Sequence, residues 1–370
     1  MKILIVKLSS LGDVVHAMPA VQDMLRAMPD AQIDWVVERG FAPLVQRCQG
    51  VHRVIACELR RWRKAPLNHD TRRAWTAFKA ELQQQAYDAV IDLQGLTKSA
   101  LIAWLARLAD GGKRYGLANQ TEGSSFEAPA RWVAHDAITL PAHSHAVTRS
   151  RELCAQALHY RLPDVLVFGL VARPSSPPHL GNDHEQEAGL ATWREGELRG
   201  TVALVHGTSR ADKEWPLAHW RELAQRLNDT GFDVGLPHGS PAEQQTAHDI
   251  AHGLAHARVW PRLSLDALTD ALATCSGVIG VDSGLSHIAV ALDLPHVQIY
   301  NFDTAWRTGP LVGPGTDSCG GDFSPPWSTE VEPAKLQKSV RQCSVFAQPT
   351  PSVDAVWQTW LGVFSNAPLA

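Results

Sequence analysis

Short aliphatic runs that alternate with helical patterns constrain the fold of this chain more than any other feature of its sequence. The segments between the runs carry apolar residues at helical spacing, most clearly at 14–28, 41–48 and 71–85. In the first half of the chain the runs themselves cover residues 2–7, 33–37, 51–57 and 87–93. Regular alternation of strand and helix predicts an α/β fold in which a parallel sheet has helices on both faces.

A second strand–helix series begins at residue 201. Its aliphatic runs cover residues 201–205, 232–236, 258–260, 277–281 and 297–300. A chain of 370 residues has room for two domains, so we predict two Rossmann-like half-domains that face each other across a cleft. The expected division is an N-terminal domain at 1–165, a Pro- and Gly-containing connection at 166–200, a C-terminal domain at 201–345 and a closing helix with a tail at 346–370.

Composition and charge exclude several classes of protein. Hydrophobic residues make up 45% of the chain and charged residues 19%, which suits a globular protein rather than a disordered one. The net charge of −4 excludes a generally basic nucleic-acid binder, so an anionic partner requires a local patch. No apolar run reaches the roughly 18 residues of a membrane span. The six cysteines form no CxxC pair, which is typical of reduced thiols in the cytoplasm.

The first candidate site follows the first strand, in the turn that contains Ser9, Ser10, Gly12 and Asp13. Ligands of α/β sheets bind at the carboxyl ends of strands, where helix N-termini offer free N–H groups. Asp13 is either a base that faces the ligand or only the capping residue of the following helix. The spacing alone favours the cap.

The second candidate site is the polar stretch 206–216, which follows the first strand of the second series. Thr208, Ser209 and Lys213 suit a phosphate group, and the lysine can neutralise charge that develops on a leaving group. The stretch is equally compatible with an exposed polar loop.

The third candidate site lies at 280–287, where a buried strand ends in Asp282 and Ser283-Gly284 open a helix. The hydroxyl, the glycine and the N–H groups permit the close approach of a diphosphate. His287 lies one turn into the helix and can reach a sugar or a phosphate, although a helical histidine is more often only a satisfied polar residue. The three sites together point to a nucleotide-linked substrate.

A cluster of cations stands out in the first half of this acidic chain. It consists of Arg60, Arg61, Arg63 and Lys64, and Lys98 after a later strand can join it. Such runs are usually solvated surfaces, but this one can also recognise carboxylates, phosphates or anionic lipid headgroups. If the partner is a lipid surface, we expect Trp62 within the cluster to contribute an apolar contact to it.

Several common catalytic motifs are absent from the sequence. There is no GxGxxG fingerprint, no GxxxxGK[ST] loop, no GxSxG elbow and no His/Cys cluster with zinc spacing. These absences favour a mechanism with neither a metal nor a cofactor.

Four segments, in this order, resemble the lipopolysaccharide heptosyltransferase I family of inverting, metal-independent GT-B glycosyltransferases. They are residues 7–20, 92–99, 206–216 and 281–287. The resemblance implies transfer of L-glycero-D-manno-heptose from ADP-heptose to the inner Kdo (3-deoxy-D-manno-octulosonic acid) of Kdo2-lipid A, in lipopolysaccharide core biosynthesis.

The resemblance also implies roles for individual residues. Asp13 is the general base, and Lys213 acts on the departing diphosphate. The implied donor-binding residues are Thr208, Ser209, Lys213, Glu243 on the ribose, Leu263 on the adenine, Asp282, Ser283, Gly284, Leu285 and His287. The implied acceptor-binding residues are Ser9, Ser10, Gly12, Arg60, Arg61, Arg63, Lys64 and Lys98.

Other functions remain open at this stage. They are heptosyltransferase II, a protein heptosyltransferase, a catalytically silent nucleotide-sugar binding protein and, less favoured, a sugar-nucleotide epimerase. A lipid acceptor predicts a cytoplasmic protein that associates peripherally with the cytoplasmic face of the inner membrane of a Gram-negative cell.

Overall fold

The computed structural model describes residues 1–173, 200–311 and 341–365. Its contacts divide the chain into two compact units, Met1–Val171 and Ala172–Ala370. Most of the predicted connection at 166–200 lies outside the described residues. None of the described helices is both long enough and apolar enough to cross a bilayer.

The first unit contains a six-stranded sheet whose strands all pair in parallel. The strand order is β3-β2-β1-β4-β5-β6, the order of a classical Rossmann fold. Strands β1, β2 and β4 are almost completely buried aliphatic runs, as expected for strands covered on both faces. The bounds are β1 Lys2–Val6, β2 Gln32–Glu38, β3 Val51–Cys57, β4 Ala86–Asp92, β5 Arg107–Leu117 and β6 Asp136–Ile138.

Seven helices accompany this sheet. They are α1 Leu11–Ala27, α2 Ala42–Val45, α3 Leu59–Lys64, α4 His69–Leu82, α5 Thr97–Leu105, α6 Ala128–Val133 and α7 Ala146–Leu158. Right-handed crossovers place α1 and α2 on one face of the sheet and α3–α6 on the other. In agreement, α1 packs against α7, while α5 packs against α6. Buried residues of α3, α4 and α5 share one apolar cluster.

The second unit repeats the architecture, with a parallel sheet of order β12-β11-β10-β7-β8-β9. Counted from its own first strand, this is again the Rossmann order. The bounds are β7 Thr201–Val205, β8 Asp233–Leu236, β9 Ala257–Val259, β10 Gly277–Val281, β11 His296–Tyr300 and β12 Gln342–Phe346. The α/β class with two Rossmann-like units is therefore confirmed.

Six α-helices lie in the described part of the second unit. They are α8 Leu217–Asp229, α9 Pro241–Ala251, α10 Leu265–Ala273, α11 Gly284–Ala291, α12 Ala305–Thr308 and α13 Val353–Ser365. The core contains fully buried Trp220, Phe232 and Trp360, and the Phe232 and Trp360 rings meet edge to face at 5.8 Å. The predicted final helix is α13, which packs against α8, β11 and β12.

The predicted strands of both series are present to within a few residues. The helix predicted at 41–48 is instead a 3-10 turn followed by the single turn of α2, and the helix predicted at 71–85 spans His69–Leu82. Strands β5, β6 and β12 were not predicted. Five described cysteines are free and buried, and burial raises the pKa of Cys48 and Cys57 to about 12.

Candidate functional site

The predicted loops lie at the topological switch point of each sheet. In the first unit β1 and β4 are neighbours whose onward connections run in opposite directions, and in the second unit β7 and β10 have the same relationship. Open α/β sheets bind ligands outside the carboxyl ends of strands at such points. Asp13 follows β1, and Asp282 follows β10.

Asp13 caps its helix and is also accessible. Its Oδ2 accepts hydrogen bonds from Ser10 N at 3.0 Å and Ser10 Oγ at 2.8 Å, which is the geometry of the capping interpretation. The side chain is still 36% exposed, and its Oδ1 lies 3.7 Å from Lys7 Nζ. One oxygen therefore fixes the carboxylate while the group stays open to a ligand.

Two cations of the first unit act on Asp13. Burial by itself raises the pKa of Asp13, but the Lys7 ammonium, the hydrogen bonds from Ser10 and the Arg149 guanidinium hold that pKa below its ordinary value. Lys7 is only 2% exposed and donates to the carbonyl of Leu93 at 3.0 Å. Burial lowers the pKa of Lys7, and Arg149 lowers it further. Asp13 is therefore ionised near neutral pH.

The turn that carries Ser9 is held by the segment after β4. Gln94 Oε1 accepts the backbone N–H groups of Leu8 and Ser9, each at 3.1 Å. Asp92 in turn accepts the N–H groups of Gln94 and Gly95. Burial raises the pKa of Asp92 to about 6, although these hydrogen bonds and one from Ser99 oppose the rise. The segments that follow β1 and β4, the two strands of the switch point, are thus hydrogen-bonded to each other.

Lys98 also reaches this turn. Its Nζ donates to Ser9 Oγ at 3.1 Å, and its charge, with that of Arg60, acts on the buried Glu38 carboxyl. Burial nevertheless raises the pKa of Glu38. Ser9, Lys98 and Arg60, which are distant in sequence, therefore lie around one edge of the sheet.

The cation cluster forms most of helix α3. Its residues Arg60, Arg61, Arg63 and Lys64 are all exposed, and Arg61 pairs with Glu58 at 3.1 Å. The expectation for Trp62 is wrong: this side chain is 6% exposed and packs against the Trp75 and Phe78 rings at 5.4 Å. Trp62 is the core-facing residue of an otherwise charged helix, so it cannot insert into a membrane.

In the second unit, Asp282 collects the predicted side chains around one buried carboxylate. Its Oδ2 lies 2.6 Å from Lys213 Nζ, and its Oδ1 lies 3.3 Å from His287 Nε2. Burial raises the pKa of Asp282, but His287 and Lys213 together hold it well below its ordinary value. Thr208 Oγ1 donates to the Asp282 carbonyl at 3.3 Å. The second and third candidate sites are therefore one site.

The end of β10 presents donors to this site. Ser283 is the N-cap of α11, and its Oγ is shielded from water without a hydrogen-bond partner among the described residues. Gly284 and Leu285 form the first turn, where backbone N–H groups are free for an anion. Ser209 lies exposed in the neighbouring loop.

Glu243 lies beside the end of β7. Its Oε2 accepts the N–H of Gly239 at 2.7 Å, and its carbonyl lies 3.0 Å from His206 Nε2. A Cβ at Gly207 would come within 2.8 Å of the Glu243 carboxyl carbon, so a larger residue there would displace the Glu243 carboxylate. Leu263 is half-buried after β9, just before α10.

Several residues of the two sites were missed by sequence reasoning. Lys7 interrupts an aliphatic run, which is a usable signal for a functional cation at a strand end. Arg149, Gln298 and Thr308 have no local sequence signal. Gln298 Nε2 lies 3.5 Å from Asp282 Oδ1, and Thr308 Oγ1 lies 3.4 Å from the same oxygen. Within the part of the chain that the structure describes, no three His, Cys, Asp or Glu side chains are grouped as for a metal ion.

Known proteins resemble this chain over nearly its whole length. Residues 75–322 match the family model described as glycosyltransferase family 9 (heptosyltransferase). Lipopolysaccharide heptosyltransferase 1 of Pseudomonas aeruginosa is 41% identical over 323 residues, which are 87% of this chain and 84% of that protein. In contrast, lipopolysaccharide heptosyltransferase 2 of Escherichia coli K12 is 25% identical over 325 residues, 84% of this chain and 86% of that protein.

Solved structures give the same result. The E. coli heptosyltransferase WaaC with ADP has a TM-score of 0.76 and 31% identity, and the match covers 99% of this chain and 100% of that one. The same enzyme with ADP-2-deoxy-2-fluoro heptose has a TM-score of 0.71 and 32% identity, with 97% and 98% covered.

Proposed function

Because this chain belongs to glycosyltransferase family 9, the heptosyltransferase family, we propose that it transfers heptose from ADP-L-glycero-D-manno-heptose to the inner Kdo of Kdo2-lipid A. The chain is a glycosyltransferase that acts in lipopolysaccharide biosynthesis. The higher identity to heptosyltransferase 1 than to heptosyltransferase 2 favours the first heptose addition over the second. Similarity to WaaC bound to an ADP-heptose analogue favours this donor.

The second unit binds the donor in this proposal. Lys213, Thr208, Ser209 and the first turn of α11 at Ser283, Gly284 and Leu285 receive the diphosphate, since a cation and free N–H groups stabilise phosphate oxygens. The remaining donor contacts are Glu243 with the ribose, Leu263 with the adenine, and Asp282 and His287 with the heptose. The joined position of Lys213, Asp282 and His287 supports this assignment.

The first unit supplies the base. Asp13 accepts the proton of the acceptor hydroxyl as that oxygen forms a bond to the anomeric carbon of heptose. The bond from this carbon to the diphosphate oxygen breaks at the same time, so ADP leaves with the electron pair and the configuration inverts. The pKa of Asp13 is held below its ordinary value, so the carboxylate is ionised near neutral pH and has a free lone pair for the proton. Lys213 balances the negative charge that develops on ADP.

The acceptor is an acidic sugar on a phosphorylated lipid, and the first unit offers cations for it. Ser9, Ser10, Gly12 and Lys98 surround the base, and Arg60, Arg61, Arg63 and Lys64 of α3 extend the positive charge outward. Guanidinium groups bind carboxylates and phosphates in a bidentate manner.

The lipid acceptor further places this protein in the cytoplasm, attached peripherally to the cytoplasmic face of the inner membrane. Exposed basic residues next to the acceptor site support the attachment, because anionic headgroups attract them at short range. Retention of the protein by anionic vesicles at low salt tests this part of the proposal, and failure to bind them contradicts it.

The single observation that carries the proposal is the 41% identity to a lipopolysaccharide heptosyltransferase 1 across 87% of the chain. The decisive experiment is transfer from ADP-heptose to delipidated Kdo2-lipid A in the presence of EDTA. Wild type is compared with Asp13→Ala and with Asp30→Ala, an exposed carboxylate in a turn after α1.

We expect product with wild type and Asp30→Ala, and a loss of at least about 10²-fold with Asp13→Ala, as is typical for removal of a general base. If Asp13→Ala is as active as wild type, Asp13 is not the general base, and the rest of the proposal is unaffected. If none of the three proteins forms product although ADP binds, the proposed acceptor is wrong. Only the donor site then remains supported.

A further inference from the structure

Helices α5 and α6 leave a patch of large apolar side chains in contact with solvent. Leu101 is 43% exposed, Trp104 60% and Trp132 78%. Thr97, Leu101 and Trp104 share one face of α5, opposite the buried Ile102 and Ala103. We call Leu101, Trp104 and Trp132 the α5–α6 surface.

The two helices form one continuous surface. They pack against each other on the same face of the sheet. Their N-termini are joined by two hydrogen bonds: Thr97 N donates to Glu127 Oε2 at 2.7 Å, and Glu127 N donates to the Gly95 carbonyl at 2.9 Å. The exposed side chains are therefore carried by a fixed scaffold. Fixed, exposed tryptophans cost solvation free energy unless something covers them.

Positive charge lies beside the α5–α6 surface: the Arg114 guanidinium donates to the carbonyls of Ala103, Trp104 and Ala106. Residues 97–133 contain five Lys or Arg against three Asp or Glu, whereas the whole chain has 34 against 38. Arg131, next to Trp132, is exposed and makes no ion pair with any residue in the described ranges. Helices α3 and α4 lie on the same face of the sheet, and residues 59–79 contain seven Lys or Arg against one Asp.

Exposed tryptophan rings beside positive charge fit one kind of partner. We propose that the α5–α6 surface is where this protein docks onto an anionic lipid bilayer, with Trp104 and Trp132 in the headgroup region. Tryptophan has an apolar body and a polar N–H group, so it partitions to the membrane interface. A second copy of the chain would bring a basic face against a basic face, which like-charge repulsion disfavours. A layer of lipid phosphates complements both the rings and the charge.

The position of the surface also fits the acceptor site. Helix α5 begins at Thr97, beside Lys98, whose Nζ donates to Ser9 Oγ in the turn before Asp13. The first residues of this helix thus lie at the proposed acceptor site, and its later residues carry the exposed Leu101 and Trp104. The inference deepens the membrane association proposed above, and it replaces Trp62 with side chains that are free to insert.

The test is co-sedimentation of the full chain with vesicles of phosphatidylcholine containing about one third phosphatidylglycerol, without donor or acceptor. The test variant is Trp104→Ser/Trp132→Ser. The matched control is Val165→Ser/Val167→Ser, which removes two apolar side chains of the same unit that are 54% and 40% exposed. A third variant, Arg131→Glu, reverses one charge beside the rings.

We expect the tryptophan variant to bind these vesicles at least about tenfold more weakly than wild type, because two interfacial side chains are lost. The valine variant should bind like wild type, and Arg131→Glu should weaken binding more at low than at high salt. Transfer to the delipidated, soluble acceptor should be the same for wild type and the tryptophan variant. Transfer to acceptor embedded in vesicles should fall with the tryptophan variant.

Equal vesicle binding by wild type and the tryptophan variant overturns the inference. So does a wild-type dimer in sedimentation velocity that the tryptophan substitutions dissociate, since the surface would then join two copies. A failure of heptose transfer by wild type refutes the proposed function only, because vesicle binding is measured without substrates.

Discussion

Lys213 Nζ lies 2.6 Å from Asp282 Oδ2, so the cation proposed for the donor diphosphate is fixed by a carboxylate from a different strand end. The other oxygen of the same carboxylate, Oδ1, lies 3.3 Å from His287 Nε2. Lys213 follows β7 and Asp282 follows β10, which are adjacent strands at the switch point of their sheet. The ion pair thus holds the flexible lysine stem in one position, and this reduces the entropy lost when a phosphate binds.

Removal of Lys213 should affect the transfer step more than the fold. We expect Lys213→Ala to lower kcat by about 10²- to 10³-fold, the usual effect of losing one group that stabilises developing charge. Steady-state transfer with saturating donor measures this. Lys113→Ala, which breaks an exposed pair with Asp136, is the control and should keep full activity. A Lys213→Ala enzyme with unchanged kcat and only a raised donor KM contradicts a role in the chemical step.

The pair also predicts how stability depends on pH. The pKa of Asp282 is depressed in the folded protein, so its ionised form adds stability above the unfolded pKa of about 3.9. That contribution is lost as the pH falls through the folded pKa. The difference in unfolding free energy between wild type and Asp282→Asn should therefore shrink as the pH falls below about 4. Urea unfolding between about pH 5 and 2 measures this change, and a difference that does not shrink below about pH 4 contradicts the assignment.

The buried strands and the loops after them could be predicted because each has a local signal. Strand β1 is an uninterrupted aliphatic run, and the turn before Asp13 carries glycine and hydroxyl residues directly after it. Strand β5 has no such signal: Arg107–Leu117 contains Asp110, three glycines and three cations, and most of its residues are at least partly exposed. Strand β6 is only three residues long. These strands are stabilised by pairing with β4 and with each other rather than by their own pattern.

The environment of the site depends on contacts between distant residues. The charge of Arg149 acts on Asp13 across more than a hundred residues of sequence, and no local pattern reports that approach. The charged sequence neighbours of Trp62 favour a surface position for this residue. In a helix, however, neighbouring residues point in different directions, so one residue of α3 is buried while Arg61 and Arg63 are exposed. A periodicity argument applied to this short run would have found the buried position.

The cations of α3 should act on the acceptor and not on the donor. With delipidated Kdo2-lipid A, we expect Arg60→Ala/Arg61→Ala to raise the acceptor KM at least about tenfold, because two guanidinium contacts to anionic groups are lost. The donor KM should not change. Arg72→Ala/Arg73→Ala, an exposed pair at the start of α4, is the matched control and should have a smaller effect. If the α3 variant keeps the wild-type acceptor KM, the acceptor lies elsewhere, and a protein acceptor becomes the better candidate.

Asp92 should make the protein less stable as the pH rises from about 4 to about 6. Burial raises the pKa of Asp92 to about 6, above its unfolded value. A carboxyl of this kind favours the folded state when it is protonated, so the contribution is complete below the unfolded pKa and is lost as the pH rises through the folded pKa. Asparagine keeps an oxygen that can accept the N–H groups of Gln94 and Gly95 but carries no charge. The unfolding free energy of wild type relative to Asp92→Asn should therefore fall by roughly 1 kcal/mol between about pH 5 and 7.5.

Urea unfolding of both proteins at several pH values measures this difference directly, since the other titrating groups are common to the two proteins. The direction is the opposite of that expected for Asp282, so the two aspartates that flank the two switch points can be told apart by the sign of their pH dependence alone. A relative stability of wild type that rises with pH would mean that the N–H groups and Lys7 outweigh burial at Asp92, and that this carboxylate is ionised in the folded protein at every pH tested.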